Sequence, residues 1–165
     1  TIELDADAAP LHTANFLLYV DDGFFNGLLF HRIVCTPPGS EGCDPFVVQG
    51  GGFRREGGEV VEVEPTRPPV VSEADNVLSN GEMYSVALAL RGGNRNSGAT
   101  QFFVNLDDNS FLDNQGFTVF GTVSSGRGVV DAMAEVETET SPIIPGEQSL
   151  PVEDVISERM LRIIS

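Results

Sequence analysis

The chain opens on an alternating stretch, residues 1–5, with Ile2 and Leu4 on one face, and Pro10 follows where a first helical turn accepts it. The pattern predicts a strand and then a helix. Leu11, Ala14, Leu17 and Leu18 recur at helical spacing, and Gly23 stands where a left-handed residue can close the last turn, so the helix should end near Asp22. From there the apolar runs are short and strand-like: residues 28–34, 46–49, 84–90, 101–105 and 117–123, each bounded by Gly, Asn, Asp or Pro. Val129, Val130, Met133 and Val136 predict a second helix after Gly128, and residues 152–164 are apolar enough to close a sheet. Residues 59–64 and 135–147 read as solvated loops or edges. Strand runs dominate and the two helices lie far apart, which disfavours a repeating strand-helix-strand sheet. The expected class is mainly β: a compact antiparallel barrel or sandwich with two covering helices.

At 165 residues and 41% hydrophobic content the chain reads as a single domain, 1–165, able to bury a real core, with no internal repeat or linker. Nine Lys plus Arg stand against 25 Asp plus Glu, a net charge of −16. That field repels phosphate backbones and anionic lipid, and no basic run overrides it, so nucleic acid and membrane surfaces are excluded as partners. No stretch approaches the roughly 20 apolar residues of a membrane span. Residues 1–5 do not have the basic-then-apolar form of a leader, and a start inside a strand points to a processed or excised domain.

Cys35 and Cys43 flank a loop that contains Pro37, Pro38 and Gly39. Their spacing does not fit half of a zinc site, and only His12 and His31 remain to complete one. The favoured reading is a disulfide, worth about 2.6 kcal/mol in the chain-entropy model for so short a loop. It would place the protein in an oxidising compartment. The alternative is two reduced thiols in a cytosolic loop.

Several familiar chemistries lack their residues. Gly50, Gly51 and Gly52, and the glycines between Gly92 and Gly98, are not followed by the Lys-Ser/Thr of a phosphate loop and read as turns. No Gly-x-Ser-x-Gly elbow occurs. Asp107, Asp108, Asn109 and Asp113 bunch like calcium ligands, but Phe111 stands where another oxygen is needed, so a surface turn is expected. No metal or cofactor is expected.

A set of ordered segments does carry a pattern: Phe30-His31-Arg32-Ile33-Val34, then Phe46-Val47-Val48-Gln49-Gly50-Gly51, then Glu73-Ala74-Asp75-Asn76, then Ser97-Gly98-Ala99-Thr100-Gln101-Phe102-Phe103-Val104-Asn105, then Phe111-Leu112-Asp113 and Val119-Phe120-Gly121. Together they resemble the cyclophilin family of peptidyl-prolyl cis/trans isomerases, over essentially the whole chain and including Ala9-Pro10 and Asn15-Phe16. No single piece suffices; their order does. The Glu-Ala-Asp-Asn segment is similar to the bacterial branch, including its periplasmic members. The resemblance implies a closed eight-stranded antiparallel barrel capped by two helices. It also implies a monomer that acts on proline-containing peptides and on unfolded or folding proteins. A periplasmic or secreted location is expected, with the cytoplasm as the alternative.

The chemistry of such a site follows from the amide bond. Rotation about X-Pro is resisted by a barrier of roughly 20 kcal/mol and takes tens to hundreds of seconds unaided. In the twisted transition state conjugation is lost and the proline nitrogen gains a real lone pair. A donor aimed at that nitrogen is favoured only there. Arg32 matches the family's catalytic arginine, and its guanidinium never titrates away. Gln49 matches the glutamine that steadies it and faces the substrate carbonyl. Phe46, Val47, Phe103 and Leu112 match the proline pocket, with Val47 in place of the usual methionine. Gln101 matches a glutamine near the neighbouring specificity pocket, and Leu90 and Arg91 correspond to backbone positions that pair with the peptide. His31 resembles a buried structural histidine.

Three departures carry consequences. Phe111 replaces the tryptophan associated with tight cyclosporin binding; it has no ring N–H, so weak cyclosporin binding is expected. Phe117 stands where a histidine or tyrosine lines the pocket, making that wall wholly apolar. Residues 35–45 form an insertion between the arginine strand and the Phe46 strand, expected to project beside the groove and to influence substrate choice. The rival function is a proline-peptide binding module or holdase with little turnover, against which the intact Arg32 and Gln49 argue.

Overall fold

The chain's alternating start finds its partner near the far end of the sequence. In the computed structural model, which describes residues 1–36 and 44–163, the strands in chain order are β1 (Ile2–Leu4), β2 (Leu28–Leu29), β3 (Arg32–Thr36), β4 (Asp44–Gly50), β5 (Phe53–Glu56), β6 (Glu59–Glu62), β7 (Ser85–Leu88), β8 (Phe102–Asn105), β9 (Val119–Val123), β10 (Thr138–Thr140), β11 (Gln148–Pro151) and β12 (Ile156–Ser157). Two α-helices, α1 (Pro10–Asp21) and α2 (Arg127–Ala134), and a 3-10 segment, Ser110–Gln115, complete it. Six strands form one antiparallel sheet in the order β1-β9-β7-β8-β4-β3. Three two-stranded pairs, β10-β11, β12-β2 and β5-β6, surround it.

The fold is thus mainly β with two helices, as the pattern predicts. The ladder joins six strands rather than eight and ends at β1 and β3, with β11 packed against β3. One reason lies in the run 28–34, which is two strands and not one. β2 pairs with β12, Phe30 N–H donates to the Val155 carbonyl at 2.7 Å, and only from Arg32 does the chain pair with β4.

Side chains alternate across a sheet, so adjacent residues enter different clusters. Ile33, Val48, Val86, Phe102, Val104 and Phe120 join the main core with Phe16, Tyr19 and Phe25. Val34, Val47, Ala87, Phe103 and Val119 form a second cluster with Leu112 on the other face. Residues directly opposite in a ladder share a face, and Arg32 lies opposite Gln49, Gln49 opposite Phe103, and Phe103 opposite Ala87. Register alone therefore sets an arginine, a glutamine and a phenylalanine in one row.

Several sequence expectations change. The buried face of α1 is His12, Thr13, Asn15, Phe16, Tyr19 and Val20, whereas Leu11 is 51% and Leu18 48% exposed and Ala14 is exposed. Two large aromatic rings decide which face turns inward, and the buried polar groups have partners. Asn15 Nδ2 donates to the Ala99 carbonyl at 2.6 Å. Glu73 accepts the N–H groups of Leu11 and His12 at 3.0 and 2.9 Å and bonds His12 Nδ1 at 2.6 Å. It caps a helix start where Ala9 offers no side-chain cap. Burial pushes the His12 imidazole down despite Glu73, so the ring is neutral near pH 7 and donates to the carboxylate. In α2 Val130 is the buried residue, Val129 is exposed, and Val136 lies past the helix end.

Of residues 59–64, read as a solvated loop or edge, Glu59–Glu62 form the edge strand β6. Glu59–Glu62 pairs with Phe53–Glu56 around Gly57 and Gly58, both at positive φ, and two such central residues make the hairpin turn whose twist suits flanking strands. Among the described residues of the segment 152–164, only Ile156 and Ser157 join a ladder; Leu161 and Ile163 are exposed. The insertion's tip, residues 37–43, and with it Cys43, lies outside the described residues; Cys35 is on β3.

Candidate active site

Arg32 is the first residue of β3 and leads the row that runs through Gln49 to Phe103. Its Nη1 donates to Gln49 Oε1 at 3.3 Å, and Gln49 Nε2 donates to Gln101 Oε1 at 3.0 Å. A guanidinium and two amides are thereby tied into one polar edge. The other side of the guanidinium is held by Glu147, whose two carboxylate oxygens accept Nε at 2.7 Å and Nη2 at 2.9 Å. Burial alone would raise the Glu147 carboxyl, yet the Arg32 bond and charge, with help from Ser149, together outweigh it and hold it below the ordinary carboxylate value.

Beside this edge lies an apolar cluster. Phe103, Val47 and Leu112 are buried in it, while Phe46 and Phe117 are partly buried around them. Phe117 meets Phe103 edge-on, with ring centroids 5.6 Å apart. Phe111, half exposed, stacks on Phe46 at 5.9 Å. A cationic fork next to an apolar, aromatic surface suits a small apolar ring with a polar bond at its edge.

The walls are fixed from beneath by an amide network. Asn109 Nδ2 donates to the Phe46 carbonyl at 3.0 Å and to Asn105 Oδ1 at 2.9 Å. Asn105 Nδ2 donates to Asn80 Oδ1 at 3.0 Å, and Asn80 Nδ2 reaches the Phe117 carbonyl at 3.1 Å and Asp113 Oδ1 at 2.7 Å. Asp113 also accepts from Ser79 Oγ at 2.6 Å, and bonds from Ser79 and Asn80 bring its carboxyl below the ordinary value against the pull of burial. The expected surface turn at 107–113 is therefore exposed only in part: Asn109 is buried and anchors the pocket.

Leu90, Arg91 and Gln101 come together at a small neighbouring hollow that also includes Pro65, Ser97 and Thr100. Arg91 is ion-paired with Glu62 and its N–H donates to Ser97 Oγ at 2.7 Å. The triple glycine serves a close approach as well as a turn. A Cβ on Gly52 would lie 2.5 Å from the Gln101 side chain, and one on Gly51 would lie 2.6 Å from the Thr100 carbonyl, where φ is already +87°. His31, next to Arg32, is buried against Phe53 at 4.5 Å. Burial pushes its imidazole down to about 4, so it is neutral and structural near pH 7.

All four residues expected to be catalytic and the expected pocket residues thus meet at one place, with Leu90 and Arg91 on its flank. What the sequence reading missed is Glu147, assigned to a solvated segment, and the amide network. Glu147 is 115 residues from Arg32, and no local pattern marks it. Asn80, Asn105 and Asn109 sit beside apolar runs, the one hint that their amides turn inward.

The family model described as cyclophilin type peptidyl-prolyl cis-trans isomerase/CLD matches residues 1–157. A peptidyl-prolyl cis-trans isomerase of Streptomyces antibioticus is 37% identical over 164 residues, covering 95% of this chain and 88% of the relative. Peptidyl-prolyl cis-trans isomerase A of Dickeya dadantii is 39% identical over 142 residues, covering 84% of this chain and 67% of the relative. Among solved structures, a cyclophilin type isomerase of Cryptosporidium parvum determined in the presence of the dipeptide Ala-Pro matches with a TM-score of 0.66 at 19% identity, covering 94% of this chain and 90% of that one. The match of the family model to nearly the whole chain, together with relatives this similar over most of their length, shows that the chain belongs to the cyclophilin-type peptidyl-prolyl cis/trans isomerases.

Proposed function

We propose that the row of Arg32, Gln49 and Phe103 is where this isomerase turns X-Pro bonds, and that it does so to assist the folding of exported proteins. The observation that carries this reading is the register that sets the guanidinium, the amide and the pocket floor side by side on one face. The proline ring occupies the hollow of Phe46, Val47, Phe103 and Leu112. Gln49 donates toward the substrate carbonyl, and Arg32 donates to the proline nitrogen as it becomes pyramidal. Leu90, Arg91 and Gln101 receive the residues before proline, and Phe111 and Phe117 form the outer wall. A solved cyclophilin of the same fold was obtained with Ala-Pro present, which agrees with a proline-peptide ligand.

The finer features belong to the same reading. The strands close into the family's eight-stranded barrel with β11 beside β3. The protein acts as a monomer, and Cys35 pairs with Cys43 in a periplasmic or secreted location. There is no free cysteine among the described residues, in line with that pairing.

Folding assistance is tested on a protein whose refolding has a proline-limited phase of tens of seconds. Substoichiometric chain should shorten that phase; an unchanged phase, with peptide turnover intact, would confine the activity to short peptides. Cyclosporin should bind weakly, in the micromolar range or above, because Phe111 brings aromatic surface but no N–H donor. A titration giving nanomolar affinity would contradict this.

A further inference from the structure

We propose that Glu147 is a positioning residue for catalysis: its carboxylate clamps the Arg32 guanidinium so that Nη1 is held beside Gln49 and turned toward the proline pocket. The proposal rests on the assignment of Arg32 as the catalytic group.

A guanidinium is planar and donates along three edges. In this chain the Nε/Nη2 edge is engaged by both oxygens of Glu147, at 2.7 and 2.9 Å. Nη1 has one partner among the described residues, Gln49 Oε1 at 3.3 Å, and that bond is long. The strong, charge-assisted pair thus fixes the plane of the fork, and the weakly held nitrogen is the one left to serve the substrate. Both partners are mostly buried, at 22% and 18% exposure, so the pair is screened far less than an ion pair on the open surface.

The clamp itself is rigidly mounted. Glu147 N–H donates to the Ile144 carbonyl at 3.1 Å, and the Glu147 carbonyl accepts Ser141 N–H at 2.8 Å. Buried Ser141 Oγ in turn accepts the N–H groups of Ile143 and Ile144, each at 3.2 Å. This turn joins β10 to β11, and β11 packs on β3, the strand that carries Arg32. An arginine has many rotamers, and aiming it anew at each turnover would cost rate. Here the aim is set before the substrate arrives.

The test compares Glu147→Ala and Glu147→Gln with the unaltered chain in an X-Pro turnover assay, together with thermal melts and the same substitutions on an Arg32→Ala background. The proposal expects Glu147→Ala to lower kcat about tenfold with KM changed less than about twofold, because the clamped donor acts on the transition state rather than on bound peptide. Glu147→Gln, which keeps one acceptor, should lose less. On the Arg32→Ala background neither change should lower the rate further. A folded Glu147 variant with unchanged or raised kcat overturns the proposal. So does a loss confined to KM, or an equal loss when Arg32 is already absent. Should Glu147→Ala fail to fold, the near-isosteric Glu147→Gln decides by the same criteria. Failure of the underlying assignment is distinct: it shows as full activity in Arg32→Ala alone.

Discussion

Replacing Arg32 with alanine is expected to lower kcat/KM on an X-Pro peptide by about 10²–10³-fold, the cost of removing one preorganised donor from a transition state. The loss should fall mainly on kcat. Phe103, Val47 and Leu112 still form the apolar floor without the arginine, so peptide should continue to bind. Arg32→Lys is not a conservative change at this position. An ammonium keeps the charge but cannot engage two Glu147 oxygens and Gln49 at fixed angles, so most of the loss should remain. Peptide turnover measured for the three chains at equal concentration checks this, and an Arg32→Ala chain within threefold of the original would remove Arg32 from the mechanism.

Stability should fall as pH drops from about 6.5 to about 4, and His31 should account for a large part of the fall. Its imidazole is pushed from 6.5 down to about 4, chiefly by burial and further by the Arg32 charge, with hydrogen bonding and Glu147 opposing. A folded value below the unfolded one means that the unfolded chain takes up the proton first. The stabilisation is complete above pH 6.5 and is lost as pH falls toward the folded value. The size is about 3 kcal/mol at about 1.36 kcal/mol per unit. His12 is lowered in the same direction, so the slope does not rest on one residue. Glu73, Glu147 and Asp113 are held below the usual carboxylate values and add their losses at lower pH. Denaturant unfolding of the chain and of His31→Gln across pH 4–7 measures the difference. The variant should be less stable at pH 7 and should lose about 3 kcal/mol less on acidification. Parallel curves would show that His31 does not titrate in this way. The chain's net charge of −16 relieves itself on acidification in both proteins and cancels in the comparison.

Much of the site was legible because it is written in consecutive residues on strands. Phe46-Val47-Val48-Gln49 alternates between core and groove, and Gln101-Phe102-Phe103 does the same, so the strand period places Gln49 and Phe103 on one face once β4 and β8 pair. The contribution of Glu147 was not legible, because it depends on β11 lying against β3, a contact that no local pattern encodes. The face of α1 was misread for a related reason. Leu11 and Leu18 look like a core stripe, but the buried His12 and Asn15 gain partners in Glu73 and Ala99, far along the chain. Residues 59–64 read as a loop or an edge because the adjacent Val60 and Val61 break the strand alternation, although the Gly57-Gly58 pair between Phe53–Glu56 and Glu59–Glu62 is a direct hairpin signal.

In the proposed mechanism one groove both binds proline and lowers the rotational barrier through Arg32. The most direct measurement is two-dimensional NMR exchange on an Ala-Pro peptide with substoichiometric chain, which reports binding and cis/trans interconversion on the same sample. Exchange cross-peaks between the two isomers are expected with the unaltered chain, and their disappearance with Arg32→Ala while the peptide shifts still show binding. Binding without exchange by the unaltered chain would contradict this mechanism and leave a proline-peptide binding module.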